Sequence, residues 1–140
     1  MGAAPLAGDS PDSGVDSPAG EAASIPLERE PGCSATARRF VTERLSGRSS
    51  EVALENAMLV ASELVTNAFQ HGQGTIELCL RTRAGRVRIE VVDEGGGVVP
   101  KLREPGAMLR GWGLQIVEQL SDNWGSFDDA ARVWAELPLG

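Results

Sequence analysis

Residues 51–71 hold the longest helical period in the chain, and two strands of clean alternation follow it directly. Leu54, Met58, Ala61, Leu64, Val65 and Ala68 form one apolar stripe at the three-and-four spacing of an α-helix, closed by Gly72 at a C′-like position. Beyond it, Ile76, Leu78 and Leu80 share one face of a strand over 75–81. Val87, Ile89 and Val91 share one face of a second over 86–92, with Gly85 in the turn between them. Strands that are apolar on one side and joined by a short turn form an antiparallel sheet, and an amphipathic helix is the natural cover for its apolar face. The pattern therefore predicts a two-layer α/β sandwich with helices on one side.

The remaining segments fit that plan. A short edge strand is expected at Ile25–Leu27, since Pro26 is tolerated only at an edge. A first helix is expected from Ser34 as N-cap, through Ala37, Phe40, Val41 and Leu45, to Gly47. Toward the end, 114–120 reads as a helix, and 123–127 with 131–137 as a closing hairpin. Between Glu94 and Trp112 there is no periodicity, only a collection of glycines and prolines. A connection of that length in a compact domain is usually functional, so a ligand lid is expected there.

Charge and composition narrow the function. The chain has 140 residues and a net charge of −7, enough for one core, and no apolar run approaches the ~18 residues of a membrane span. Residues 1–24 are rich in Ala, Gly, Pro, Ser and Asp and are expected to form a disordered tail, with the folded domain over 25–140. The acidic balance offers no footprint for a nucleic-acid backbone. Two cysteines, Cys33 and Cys79, and the lack of a secretory signal pattern point to a cytoplasmic protein with free thiols.

Three local patterns carry chemistry. Glu63 and Asn67 lie four apart on the polar side of the long helix, with Gln70 and His71 continuing the line. Asp93 ends a strand and opens the DxGxG pattern Asp93-Glu94-Gly95-Gly96-Gly97; a carboxylate there can accept a hydrogen bond from an exocyclic amine while the glycines let backbone approach closely. Arg110-Gly111-Trp112-Gly113-Leu114 sets a GxG before a helix, where free N–H groups and the helix dipole favour phosphate. Each pattern alone has a plain structural explanation. His71, the lone histidine, reads as a cap at the helix end, and Trp112, Trp124 and Trp134 as core or edge aromatics.

Taken in order, ELVTNAFQHG (63–72), VVDEGGG (91–97) and RGWGLQIVEQLSDNWG (110–125) resemble the N, G1 and G2 boxes of the histidine-kinase-like ATPase superfamily. More closely, they look like the small stand-alone anti-sigma-factor serine kinases and their actinobacterial relatives. The resemblance implies an α+β domain with a mixed, mostly antiparallel sheet, and a site for ATP and Mg²⁺. It implies that Asn67 ligates the metal and that Glu63 acts as general base. Asp93 would bind the adenine amine, with Gly95 and Gly97 shaping that end. Gly111, Gly113 and the backbone at Leu114 would hold the phosphates, and Arg110, or Lys101 or Arg103 in the lid, would neutralise γ-phosphate charge. A departure from the pattern is Ala130-Ala131-Arg132, where relatives often have Gly-Thr.

The implied activity is that of a protein serine/threonine kinase that sequesters a sigma factor and phosphorylates an antagonist protein. The alternative is a non-catalytic, nucleotide-gated binding module. Partners are then proteins, with neither nucleic acid nor membrane contacted directly; relatives tend to dimerise, which leaves a homodimer open.

Overall fold

A computed structural model describes residues 20–95, 112–126 and 132–140, with the side chains of 112–114 outside the description. The elements are β1 (Glu21–Leu27), α1 (Cys33–Leu45), α2 (Glu51–His71), β2 (Ile76–Arg83), β3 (Arg86–Val92), α3 (Trp112–Leu120), β4 (Asn123–Ser126) and β5 (Arg132–Pro138). They form an α+β sandwich: one open five-stranded sheet in the order β1-β2-β3-β5-β4, covered by helices on one face. Where a mixed sheet was expected, each of the four described ladders is antiparallel.

The alternation read from the sequence is the alternation buried in the fold. Ile76, Leu78, Leu80, Val87, Ile89 and Val91 all face the helical layer and are buried. Val133, Ala135 and Leu137 of β5 continue that face. α2 lies against β2, β3 and β5 with α1 and α3 beside it, and buries Ala57, Val60, Ala61, Leu64 and Val65. The opposite sheet face is polar: Arg88 pairs with Glu136 at 2.9 Å and Arg132 with Glu90 at 2.9 Å. There the Arg88 guanidinium stacks 4.2 Å above the ring of Trp134. Trp124 instead packs against the core.

Several boundaries differ from expectation, each for a local reason. β1 begins at Glu21, not Ile25, because Glu21–Ser24 pair with Thr82–Cys79 across the sheet edge; those four residues, assigned to the tail, are strand. The first helix starts at Cys33 with Gly32 as N-cap, since Thr36 N–H already donates to Gly32 O at 3.2 Å; Ser34 lies inside it and caps nothing. Ser50 is the N-cap of α2, its Oγ accepting from Ala53 N–H at 3.0 Å, and Glu51 suits the positive helix end. The hairpin between β2 and β3 turns at Ala84 and Gly85, both left-handed with φ 53° and 77°.

Candidate nucleotide site

The chain from α2 to β2 is short, and β2 is paired with β3, so the C-terminal end of α2 and the C-terminal end of β3 meet at one edge of the layers. Glu63 and Asn67 lie on the last turns of α2, both half-buried, one turn or about 6 Å apart along the axis. Gln70 and His71 beyond them are exposed.

Asp93, half-buried, follows the last residue of β3. Its Oδ1 accepts the N–H of Gly95 at 2.6 Å in a tight turn, and the chain leaves that turn through a left-handed Gly95 at φ 81°. The carboxyl group lies over Gly72: a Cβ there would come within 2.6 Å of Asp93 Cγ and 2.8 Å of Ala68 O. Gly72 is therefore not the left-handed cap its place after the helix implies. Its φ is −94° and its ψ −163°, extended backbone open to any residue, and its lack of a side chain serves Asp93 instead.

Glu94 fastens the neighbouring turn. Its N–H donates to Gln73 O at 2.9 Å and its Oε2 accepts from Thr75 N–H at 2.8 Å. The Thr75 backbone bond, helped by the Thr75 hydroxyl and by the charge of Arg29, holds the Glu94 carboxyl below its ordinary range. The Glu94 side chain, its carboxyl end foremost and Cγ 2.6 Å away, fills the space where Gly74, at φ 72°, would carry a Cβ.

Arg29 is the residue that sequence reasoning missed. It sits two positions after β1, and its Nη1 donates to Ala68 O and Phe69 O, each at 2.7 Å, while Nε donates to Gly74 O at 2.9 Å. These last-turn carbonyls of α2 are thus taken by Arg29, the role expected of His71, and its positive charge sits at the negative end of the helix. Its partners are 39 to 45 positions away, so nothing near it in the sequence marks it.

α3 starts at Trp112, so Gly113 and Leu114 belong to its first turn, where backbone N–H groups lack intrahelical acceptors. α3 packs on α2, the helix of Glu63 and Asn67. Gly97, Arg110, Gly111, the lid basics Lys101 and Arg103, and Ala130-Ala131 lie outside the described residues. Of the two cysteines, Cys33 is buried in the core and Cys79 half-buried on the polar face; burial, with Glu77 and Glu90 adding, pushes the Cys79 thiol up to about 11. Two clefts, one by Glu43, Arg44 and Arg48 and one by Ser24, Cys79 and Arg88, contain none of the expected site residues. Among the described residues there is no cluster of three His, Cys, Asp or Glu able to hold a metal, and no helix long and apolar enough to cross a membrane.

The family model of the histidine kinase-like ATPase domain matches residues 27–134. The chain belongs to this family. It therefore carries an ATP-binding type of domain, and the matched span runs from β1 into β5. No curated protein matches the chain. Among solved structures it is similar to the RsbU and RsbW domains of Rv1364c from Mycobacterium tuberculosis, with 23% identity and a TM-score of 0.62. That match covers 84% of this chain and 31% of the other, so this histidine kinase-like domain spans about a third of the solved chain; the likeness is one of fold.

Proposed function

We propose that this domain binds Mg-ATP between the end of α2, the Asp93 turn and the start of α3, and acts as an anti-sigma-type protein serine/threonine kinase. The observation that carries the reading is the seating of the Asp93 carboxylate over Gly72, one helical turn or so from Asn67. A carboxylate fixed there is an acceptor for the adenine amine. The Asn67 amide oxygen is a hard donor suited to magnesium, which takes its other ligands from phosphate and water. Bound there, magnesium would neutralise the phosphate charge that builds up during transfer.

The chain's own residues do the rest. Backbone N–H groups at Gly113 and Leu114, with Gly111, cradle the phosphates, and Arg110 adds positive charge at the γ-phosphate. Gly97 joins Gly95 in lining the adenine end. Glu63 takes the proton of a serine hydroxyl on an antagonist protein as the hydroxyl oxygen bonds to the γ-phosphorus; the bond to the β–γ bridging oxygen breaks and ADP leaves. The domain would also sequester a sigma factor, with phosphorylation of the antagonist governing which partner is held, in the cytoplasm. The resemblance of the three sequence boxes to anti-sigma-factor serine kinases supports this, as does the fold shared with a structure containing an RsbW domain. Ala130-Ala131-Arg132, without a threonine, favours a second reading in which binding regulates the partner without phosphoryl transfer.

The test is calorimetric titration of Mg-ATP combined with single-turnover transfer of labelled γ-phosphate to an anti-anti-sigma-type protein of the same genome. Wild type should bind, Asn67→Ala and Asp93→Asn should weaken binding by about tenfold or more, and Glu63→Gln should bind yet transfer 10²–10⁴-fold more slowly, roughly the worth of a general base. Binding without transfer in wild type would favour the second reading, and no binding would overturn both.

A further inference from the structure

We infer that Arg29 is a positioning residue for the base-reading carboxylate of Asp93, acting through the 72–75 turn; this rests on the nucleotide reading above. One guanidinium holds two structures at once. Nη1 grips the carbonyls of Ala68 and Phe69 at the end of α2, and Nε grips Gly74 O on the far side of the turn that follows. Glu94 fastens the other side of that turn through Gln73 O and Thr75 N–H. Asp93 is next to Glu94 in the chain, and its carboxyl group rests on Gly72, within the clamped segment. Arg29 therefore fixes the floor on which Asp93 sits, through backbone carbonyls alone.

The form of the clamp argues that position, and not charge alone, is what it supplies. A single lysine ammonium near the carbonyls of α2 would answer the helix dipole, but only a planar fork with donors in fixed directions spans both the helix end and Gly74. The fork also carries a cost: Nη2 is buried with no hydrogen-bond partner, an arrangement that folded chains seldom keep without a reason. Without Arg29, Gly74 in its left-handed conformation loses its tether, and Glu94 and Asp93 lose the rigid segment they lean on.

The test compares ATP with inosine triphosphate, which has a carbonyl in place of the exocyclic amine that Asp93 would recognise. Affinities of both are measured by calorimetry for wild type, Arg29→Met, Arg29→Lys, Asp93→Asn and the Arg29→Met/Asp93→Asn double variant, with folding checked by circular dichroism. Arg29→Met should weaken ATP on the order of tenfold and inosine triphosphate by less than about twofold, and should cost nothing further once Asp93 is Asn, as coupled neighbours behave. Arg29→Lys should not restore ATP binding. Equal losses for both nucleotides, full additivity in the double variant, rescue by lysine or unchanged ATP affinity would each overturn the inference. If Arg29→Met does not fold, Arg29→Lys alone decides by the same ratio of ATP to inosine triphosphate. A wild type that fails to bind ATP, or does not prefer it, overturns the nucleotide reading and the inference together, and is told apart because it appears before Arg29 is changed.

Discussion

The carboxyl carbon of Asp93 lies 2.6 Å from where a Cβ on Gly72 would stand. The backbone of Gly72 is extended, so alanine meets no torsional obstacle there; what it meets is the Asp93 carboxylate and Ala68 O. Gly72→Ala should therefore push Asp93 out of place while the domain stays folded. Loss of a hydrogen bond from a charged acceptor corresponds to roughly 10–100-fold in affinity, so ATP binding by calorimetry should fall by that much. An alanine variant that binds ATP as tightly as wild type would show that Asp93 is not the base contact.

Glu94 sets a pH dependence. Its folded-state pKa is held below the ordinary carboxylate value by the Thr75 hydrogen bonds. A lowered folded pKa means that the stabilisation is complete above the unfolded value, near 4.3, and is lost as pH falls through the folded value. Thermal melting of wild type and Glu94→Gln should thus differ by a constant amount near neutrality and converge below about pH 4. A gap that widens on acidification would contradict the assignment.

Cys79 should be a sluggish nucleophile. With its thiol pushed up to about 11, mainly by burial, little thiolate exists at pH 8. Iodoacetamide labelling followed by mass spectrometry should find Cys79 on the order of a hundredfold slower than an unhindered thiol. Labelling at the rate of a free thiol would show that the polar sheet face opens in solution.

Ser50→Ala removes the side-chain acceptor for Ala53 N–H at the start of α2. It should cost about 1 kcal/mol in urea unfolding with the slope unchanged. Asn67 is about 25 Å further along the helix, so ATP affinity should not move. A change in affinity would mean that the two ends of α2 are coupled.

What the sequence made legible was local. Burial on alternate positions of β2 and β3 and on Ala61, Leu64, Val65 and Ala68 of α2 is written in neighbouring residues, so the layers and their facing could be read before any coordinates; in the first half of α2 it is Ala53, Ala57 and Val60 that are buried, and the expected Leu54 and Met58 are half-buried. Glu21–Ser24 lack a strand pattern of their own and are ordered by the partner they meet in β2, which is why the edge strand looked shorter. Gly72 looked like a left-handed cap because the reason for it, Asp93, is 21 positions on. Asn67 and Asp93 stood out through their boxes, whereas Arg29 and the Glu94 carboxylate act across 45 and 19 positions and leave no periodic trace.

β5 follows β4 in the chain but lies inside it in the sheet, between β3 and β4. A nascent polypeptide can lay down α1, α2 and the first three strands early, yet the free side of β3 has no neighbour until residues 132–138 arrive. Those residues close two ladders and add Val133, Ala135 and Leu137 to the core in one step. Such late, long-range closure slows folding, and meanwhile an open strand edge beside the apolar side of α2 is what a holding chaperone would grasp during synthesis.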